Sequence, residues 1–357
     1  MVDNVLARLL LSPIALLYGA GVGLRNFLYQ KGLLKSVRFD LPLISVGNLT
    51  VGGAGKTPHI EYLLVLLKDY IRVATLSRGY GRQTKGYLEV LPGMQARQTG
   101  DEPLQFKRKF RDVVVAVAES RTFAIPQILS SHPDTQLILL DDAFQHRAIA
   151  PGMHILLTEY SEPFTRDWLL PSGRLREWRS AYRRAHIIVV TKCPIDLSPE
   201  EARQVEAEIK PLDHQQVFFS YYQYGAPYSM YNPLRRLKLQ PDLHVLLVTA
   251  IARTDYLVSY LEERVGGLTH MEYADHHTFD DTDVRNIAKA FQRLEAGQKE
   301  KVLITTEKDA VRLEPFRMIL LEARIPLAVI PIQVRFHFDQ GPVFDEAIRS
   351  FLLNFEV

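Results

Sequence analysis

The chain has 357 residues, 47% of them apolar and 24% charged, an ordinary globular composition that excludes disordered, collagen-like and coiled-coil classes. Its 43 Lys plus Arg nearly balance 41 Asp plus Glu, and a formal net charge of +2 gives no reason to expect a nucleic-acid partner. The one cysteine, Cys193, excludes an internal disulfide and a cysteine-rich metal site and fits a reducing compartment, while the length predicts about two domains.

Between Arg8 and Arg25 lies LLLSPIALLYGAGVGL, an uncharged run broken by Pro13, Gly19, Gly21 and Gly23. It is shorter than the roughly 20 apolar residues of a membrane span. A secretory signal would have a similar outline, but Arg25, Lys31, Lys35 and Arg38 follow the run, and a nucleotide-binding motif comes next. An apolar helix flanked by cations suits an anionic membrane surface, where apolar area inserts and Lys and Arg meet lipid phosphates. Its plain rival is a terminal helix packed on the core.

From residue 41, apolar runs at 43–47, 71–77, 112–118, 136–142, 153–158 and 186–191 read as strands. The stretches 56–69, 103–110, 120–131 and 199–210 between them read as helices. Continuous apolar strands alternating with helices predict a parallel sheet covered on both faces. From about 215 the texture turns aromatic, Pro-rich and basic without a helical period, and reads as a connector. A second set follows, with strands at 243–249, 268–273 and 301–305, helices at 254–264, 281–294 and 343–354, and an apolar run at 326–334. The expected architecture is α/β: a P-loop NTPase-type, doubly wound, mainly parallel sheet in 41–222, a smaller α/β domain in 223–357, and an N-terminal membrane-surface helix within 1–40.

The segment LISVGNLTVGGAGKTP runs a strand into a glycine-rich loop and then a helix. In such a loop the backbone of Thr50, Val51, Gly52, Gly53, Ala54 and Gly55 turns successive N–H groups toward phosphate oxygens at a positive helix end. Lys56 would reach the terminal phosphates of ATP and Thr57 would offer a hydroxyl to Mg²⁺. The first glycine of the GxxxxGK[ST] pattern is replaced by Thr50. A second signature, LILLDDAFQH, ends a buried strand in Asp141 and Asp142. Paired carboxylates there call for a cation, and Mg²⁺ beside the phosphate loop is one. The alternative is a pair of solvated turn aspartates.

These residues resemble the tetraacyldisaccharide 4′-kinase family through SVGNLTVGGAGKTP at 45–58, SRGYGR at 77–82, GDEP at 100–103, DDAFQH at 141–146, PSGRLRE at 171–177, ADHHTF at 274–279 and TEKDAVRL at 306–313. Ala143 stands where glycine is expected to be common. The resemblance implies transfer of the ATP γ-phosphate to the 4′-hydroxyl of a lipid A disaccharide 1-phosphate at the cytoplasmic face of the bacterial inner membrane. No obligate protein partner is implied. Asp101 matches the family's catalytic acid, paired with His276, and a carboxylate oriented by an imidazole can accept a sugar hydroxyl proton. Taken alone, Asp101 reads equally as a helix N-cap. Glu102 is an outer candidate for the metal. Arg121, Gln145, His146, Arg176 and Glu177 match positions expected near the acceptor or the transferring phosphoryl group, since guanidinium forks suit phosphate. Arg78, Tyr80 and Arg82 form a basic and aromatic loop at the carboxyl end of a predicted strand, the usual site of ligand contacts in open α/β sheets, with a solvated glycine-rich turn as its alternative.

Because Asp101 and His276 come from different halves of the chain, an open form that closes over nucleotide is expected. A GTPase or metallochaperone-type switch is the main rival, but its guanine-reading Asn-Lys-x-Asp position offers Thr191, Lys192, Cys193 and Pro194. A soluble kinase with a purely structural N-terminal helix is the other.

Overall fold

The computed structural model describes residues 5–294 and 300–356, so parts of the outer two predicted segments lie outside the described residues. In chain order the elements are α1 (Val5–Gln30), β1 (Leu43–Asn48), α2 (Lys56–Leu67), β2 (Val73–Ser77), β3 (Leu88–Glu89), α3 (Ala96–Thr99), α4 (Asp101–Lys109), β4 (Val114–Val117), α5 (Arg121–Ser131), β5 (Leu137–Asp141), β6 (Met153–Glu159), β7 (Ile187–Thr191), α6 (Pro199–Ile209) and β8 (Gln216–Tyr224). There follow β9 (Tyr228–Ser229), β10 (Leu243–Thr249), α7 (Asp255–Glu262), β11 (Gly267–Glu272), α8 (Asp281–Arg293), β12 (Glu300–Thr306), α9 (Glu307–Leu313), α10 (Arg317–Glu322), β13 (Leu327–Ile330), β14 (Ile332–Phe336) and α11 (Gly341–Leu353).

The larger sheet has the order β14-β8-β7-β6-β1-β5-β2-β4-β3, parallel in its interior and antiparallel only where β3 and β14 close its edges. Every residue of β1 and β5 is buried, because helices cover both faces and leave no side of the strand for polar side chains. One face packs on α2 and α11 through Ile60, Leu64, Phe344 and Ile348, the other on α5 and α6 through Ile125, Ile128, Ala202 and Val205. The smaller sheet, β11-β10-β12-β13-β9, carries its own core of Leu246, Val248, Ile287, Leu303 and Val329.

Two expectations are corrected. The stretch after 215 is not all connector, since 216–224 form β8, parallel to β7 and antiparallel to β14. Nor does the smaller unit keep the chain from 223 to its end. Pro331, which has no N–H to donate, splits the apolar run at 326–334, so that β13 stays in the smaller sheet while β14 and α11 return to the larger one. The chain therefore passes between the two sheets twice, and Gly225 N–H donates to Pro331 O at 2.9 Å where the passages meet.

Helix α1 continues through Pro13 to Gln30, longer than the uncharged run, and by length and composition it could cross a membrane. One side docks on the body. Tyr18 Oη donates to Arg176 O at 2.9 Å, Trp178 Nε1 donates to Gly19 O at 2.8 Å, and Asn26 Nδ2 donates to Glu177 Oε2 at 2.7 Å. A Cβ at Gly19 would stand 2.5 Å from the Trp178 ring. The other sides expose Leu9, Leu10, Ile14, Leu16, Leu17, Leu24 and Phe27, with Leu17 75% accessible.

Candidate active site

The phosphate loop leaves the carboxyl end of β1 at the point where the strand order reverses, β5 lying on one side and β6 on the other. Gly55, the N-cap of α2, has φ of 86°, in the left-handed region, and a Cβ there would stand 2.3 Å from Tyr222 Oη. The first half of the loop is clamped by the segment 174–176: Val51 N–H donates to Arg174 O at 2.8 Å, Thr50 forms an antiparallel bridge with Leu175, and Arg176 N–H donates to Leu49 O at 2.8 Å. Thr50 thus sits in a ladder contact, where a side chain is tolerated and the glycine of the general pattern is not needed. Ala54 is buried, and its carbonyl accepts from Thr191 Oγ1 at 3.0 Å. Gly52 has φ of 112°, and a Cβ at Gly53 would meet Ala252 of the smaller unit at 3.8 Å, so the loop faces both halves of the molecule.

Asn48, which the sequence reading left without a role, organises the loop's root. Its Oδ1 accepts from Lys56 Nζ at 3.0 Å and from Arg176 Nη2 at 2.7 Å, while its carbonyl accepts from Gln145 Nε2 at 2.9 Å. Val46 pairs with Asp141 across β1 and β5, which sets the two acids beside the loop. Lys56 Nζ lies 3.7 Å from Asp142 Oδ1, and Arg176 donates to both oxygens of that carboxylate. Burial alone would raise the Asp142 pKa, but Lys56, Arg176 and Arg121 more than reverse this and hold the carboxyl well below its usual range. Burial, with Asp142 and Glu102 adding to it, pushes Asp141 up to about 7.

Oδ1 of Asp141 is buried without a hydrogen-bond partner. A buried carboxylate oxygen without a donor, at the end of the strand beside the phosphate loop, fits a hard divalent cation. Among the described residues no three acidic or histidine groups cluster as a complete metal cage. Mg²⁺ takes one or two protein oxygens and draws the rest from phosphates and water.

The remaining residues divide by what they touch. Arg121 is buried at the start of α5 and donates to the carbonyls of Asp141 at 3.0 Å and Asp142 at 3.2 Å, fixing the backbone of the acidic turn. Burial, and then Arg121, lower the His146 pKa to about 4. Arg78 and Tyr80 are exposed at the end of β2. Arg82 and Glu177, expected toward substrate, are committed elsewhere. Arg82 is tied to Glu119 at 2.6 Å and to Gly86 O at 2.7 Å, holding its own loop. Glu177 is buried against Arg184 and Asn26, holding α1.

Asp101 is the first residue of α4, not its cap, which is Gly100. Its Oδ2 lies 3.5 Å from His276 Nδ1, so Asp101 and His276 are adjacent. Arg312 of α9, which the sequence reading missed, donates to the same oxygen through Nε at 2.8 Å and through Nη2. Burial works against the charge, but His276, Arg312 and Lys308 outweigh it and lower the Asp101 pKa to about 2. His276 has φ of 62°, uncommon for a side-chain-bearing residue, and its N–H is held by Ala250 O at 3.2 Å. Its ring stands edge-on to Tyr80 at 5.3 Å between centroids. Lys308 Nζ is 3.2 Å from His276 Nε2. Arg312 Nη2 lies 3.3 Å from His276 Nδ1, so a cationic donor faces each ring nitrogen. Glu102, the outer candidate for the metal, is engaged instead by Lys308 at 2.8 Å.

At the guanine-reading position of a GTPase, Lys192 is paired with Glu159 at 3.1 Å and Cys193 is buried, so no carboxylate is offered to a guanine there.

The family profile for Tetraacyldisaccharide-1-P 4′-kinase matches residues 7–353. The chain is 41% identical to the Tetraacyldisaccharide 4′-kinase of Phocaeicola vulgatus, covering 96% of this chain and 94% of that one. It is 43% identical to that of Flavobacterium johnsoniae, covering 94% and 96%. A crystal structure of LpxK from Aquifex aeolicus in complex with ATP superposes with a TM-score of 0.73 at 26% identity, covering 97% of this chain and 99% of that one. With site geometry, family profile and relatives in agreement over nearly its whole length, the chain belongs to the tetraacyldisaccharide 4′-kinase family.

Proposed function

We propose that the protein transfers the γ-phosphoryl group of ATP to the 4′-hydroxyl of a tetraacyldisaccharide 1-phosphate. The observation that carries this reading is the Asp101–His276 pair, adjacent at 3.5 Å and contributed by the two units on either side of the phosphate loop. In it, Lys56 and the loop N–H groups hold the phosphates and offset the charge that develops during transfer. Thr57, Asp141 and Asp142 would hold Mg²⁺, which when bound would neutralise phosphate charge. Asp101 accepts the proton of the attacking hydroxyl, and His276 keeps the carboxylate oriented. Arg78 and Tyr80, exposed at the end of β2, meet the acceptor, while Arg121, Gln145 and Arg176 stabilise the loop and the acidic turn.

Helix α1 lies on the cytoplasmic surface of the inner membrane with its exposed leucines in the lipid, since ATP is on that side and the acceptor is a lipid. The experiment is transfer from γ-labelled ATP with Mg²⁺ to the tetraacylated disaccharide 1-phosphate in mixed micelles. Labelled 4′-phosphate from the wild type and not from Asp101→Ala supports the reading, whereas label released only as free phosphate overturns it. For α1, co-sedimentation with anionic vesicles should fall for Leu10→Asp/Leu17→Asp; unchanged sedimentation would refute the membrane contact.

A further inference from the structure

Asp101 is held by more than His276. Arg312 projects from α9 in the smaller unit, is 4% exposed along its side chain, and spreads its guanidinium between the two halves of the molecule. Toward the larger unit, Nε and Nη2 donate to Asp101 Oδ2. Toward its own unit, Nη1 donates to Ala250 O at 2.8 Å and to Asp309 Oδ1 at 2.9 Å. Asp309 is wholly buried and is itself fixed by Ala250 N–H at 3.1 Å and by Thr306 Oγ1 at 2.8 Å.

The anchor of Arg312 is also the anchor of His276, because Ala250 O accepts the His276 N–H as well as Arg312 Nη1. Guanidinium and imidazole are thereby presented to one carboxylate oxygen as a rigid pair. A planar fork with fixed donors transmits position in a way that a flexible ammonium cannot.

We infer that Arg312 is a positioning residue for phosphoryl transfer, docking Asp101 against the His276-bearing unit so that its second oxygen, Oδ1, is directed to the acceptor hydroxyl. The inference rests on the reading of Asp101 as the proton acceptor. Arg312 touches neither phosphate nor sugar in this role; it acts through Asp101, and its loss is felt only when Asp101 is present. A residue that merely held the two units together would lower stability and would weaken every remaining activity alike.

The test is a double-mutant cycle on the full-length enzyme in the micelle assay, with melting temperature measured for each variant. Arg312→Ala should lower kcat on the order of 100-fold with KM for ATP unchanged, because an orienting contact matters most in the transition state. Arg312→Lys should recover part of that loss. In the Asp101→Ala background, adding Arg312→Ala should cost nothing further. Should Arg312→Ala fail to fold, Arg312→Lys carries the same cycle, since it keeps the charge and loses the fork. The inference is overturned if the two losses multiply, if the effect lies in KM for ATP, or if melting temperature falls while kcat holds. A wild-type enzyme that forms no labelled 4′-phosphate would instead defeat the reading of the reaction on which the inference stands.

Discussion

The two halves of the site are built in different ways. The phosphate half comes from the ends of neighbouring parallel strands: β1 supplies the loop, β5 the acids, and the segment 174–176 clamps both, all within the larger unit. The half around Asp101 is assembled across the molecule, with Asp101 at the start of α4 and His276, Lys308 and Arg312 brought from the smaller unit. The first kind of site depends on local backbone geometry and tolerates little variation in spacing. The second depends on how two units are held together, so its residues lie far apart in sequence and its integrity is a property of an interface.

Breaking the phosphate half should have the largest effect. Lys56→Ala removes the cation between Asn48 and Asp142, and we expect kcat to fall by about 10²–10³ in the micelle assay with the fold intact by circular dichroism. Near-normal turnover would end the assignment of the loop. Asp101→Ala addresses the other half, with an expected loss of about 10² or more in kcat and little change in KM for ATP. A change confined to KM would make Asp101 a binding group.

The joint between the halves can be tested without touching either. Lys109 of α4 sits between Glu61 of α2 at 2.7 Å and Glu307 of α9 at 2.9 Å, and burial, reinforced by Glu307, pushes Glu61 up to about 7. Lys109→Met leaves two largely buried carboxylates facing one another, and we expect about 2–3 kcal/mol of lost stability at pH 8 by chemical denaturation. The loss should shrink as pH falls and the pair takes up a proton; a loss independent of pH would mean that only packing was removed.

The last effect concerns the ground under the loop. His59 is wholly buried between Gly55 O at 2.8 Å and Ser220 Oγ at 3.1 Å, and burial lowers its pKa from 6.5 to about 4. A base with a depressed native pKa contributes stability fully above its unfolded pKa and loses it as pH falls toward the native one. Relative to His59→Gln, the wild type should therefore lose up to about 1.4 kcal/mol per pH unit between pH 6.5 and 4. Parallel stability curves for the two proteins would show that His59 takes up its proton without cost to the fold.

Most of the larger sheet was legible because its strands are buried on both faces and announce themselves as unbroken apolar runs. Strand β8 was not, because QVFFSYYQY mixes half-exposed tyrosines with buried phenylalanines and so has neither an apolar run nor a clean alternation. The return of β14 to the larger sheet hung on one residue, Pro331, whose effect depends on where the preceding strand pairs. The loop, the acidic turn, Asp101 and His276 were singled out by motif, and the structure brings Asp101 and His276 together. Arg82 and Glu177 were found too, but spacing does not say which way a side chain points, and both are spent on holding loops and α1. Arg312 was within a matched stretch, and its i, i+3 spacing from Asp309 was the signal that could have flagged an anchored guanidinium.

Residues 176–178 have one further consequence. Their backbone and side chains grip α1 through Tyr18, Gly19 and Asn26, while the Arg176 guanidinium reaches Asp142 and Asn48. On the membrane reading, a single short stretch of chain is then a height gauge, setting how far above the lipid the phosphoryl group is handed over. Such an enzyme has no need to lift its acceptor out of the bilayer. It works at one fixed level, the level of the sugar headgroup, with the acyl chains left where they are.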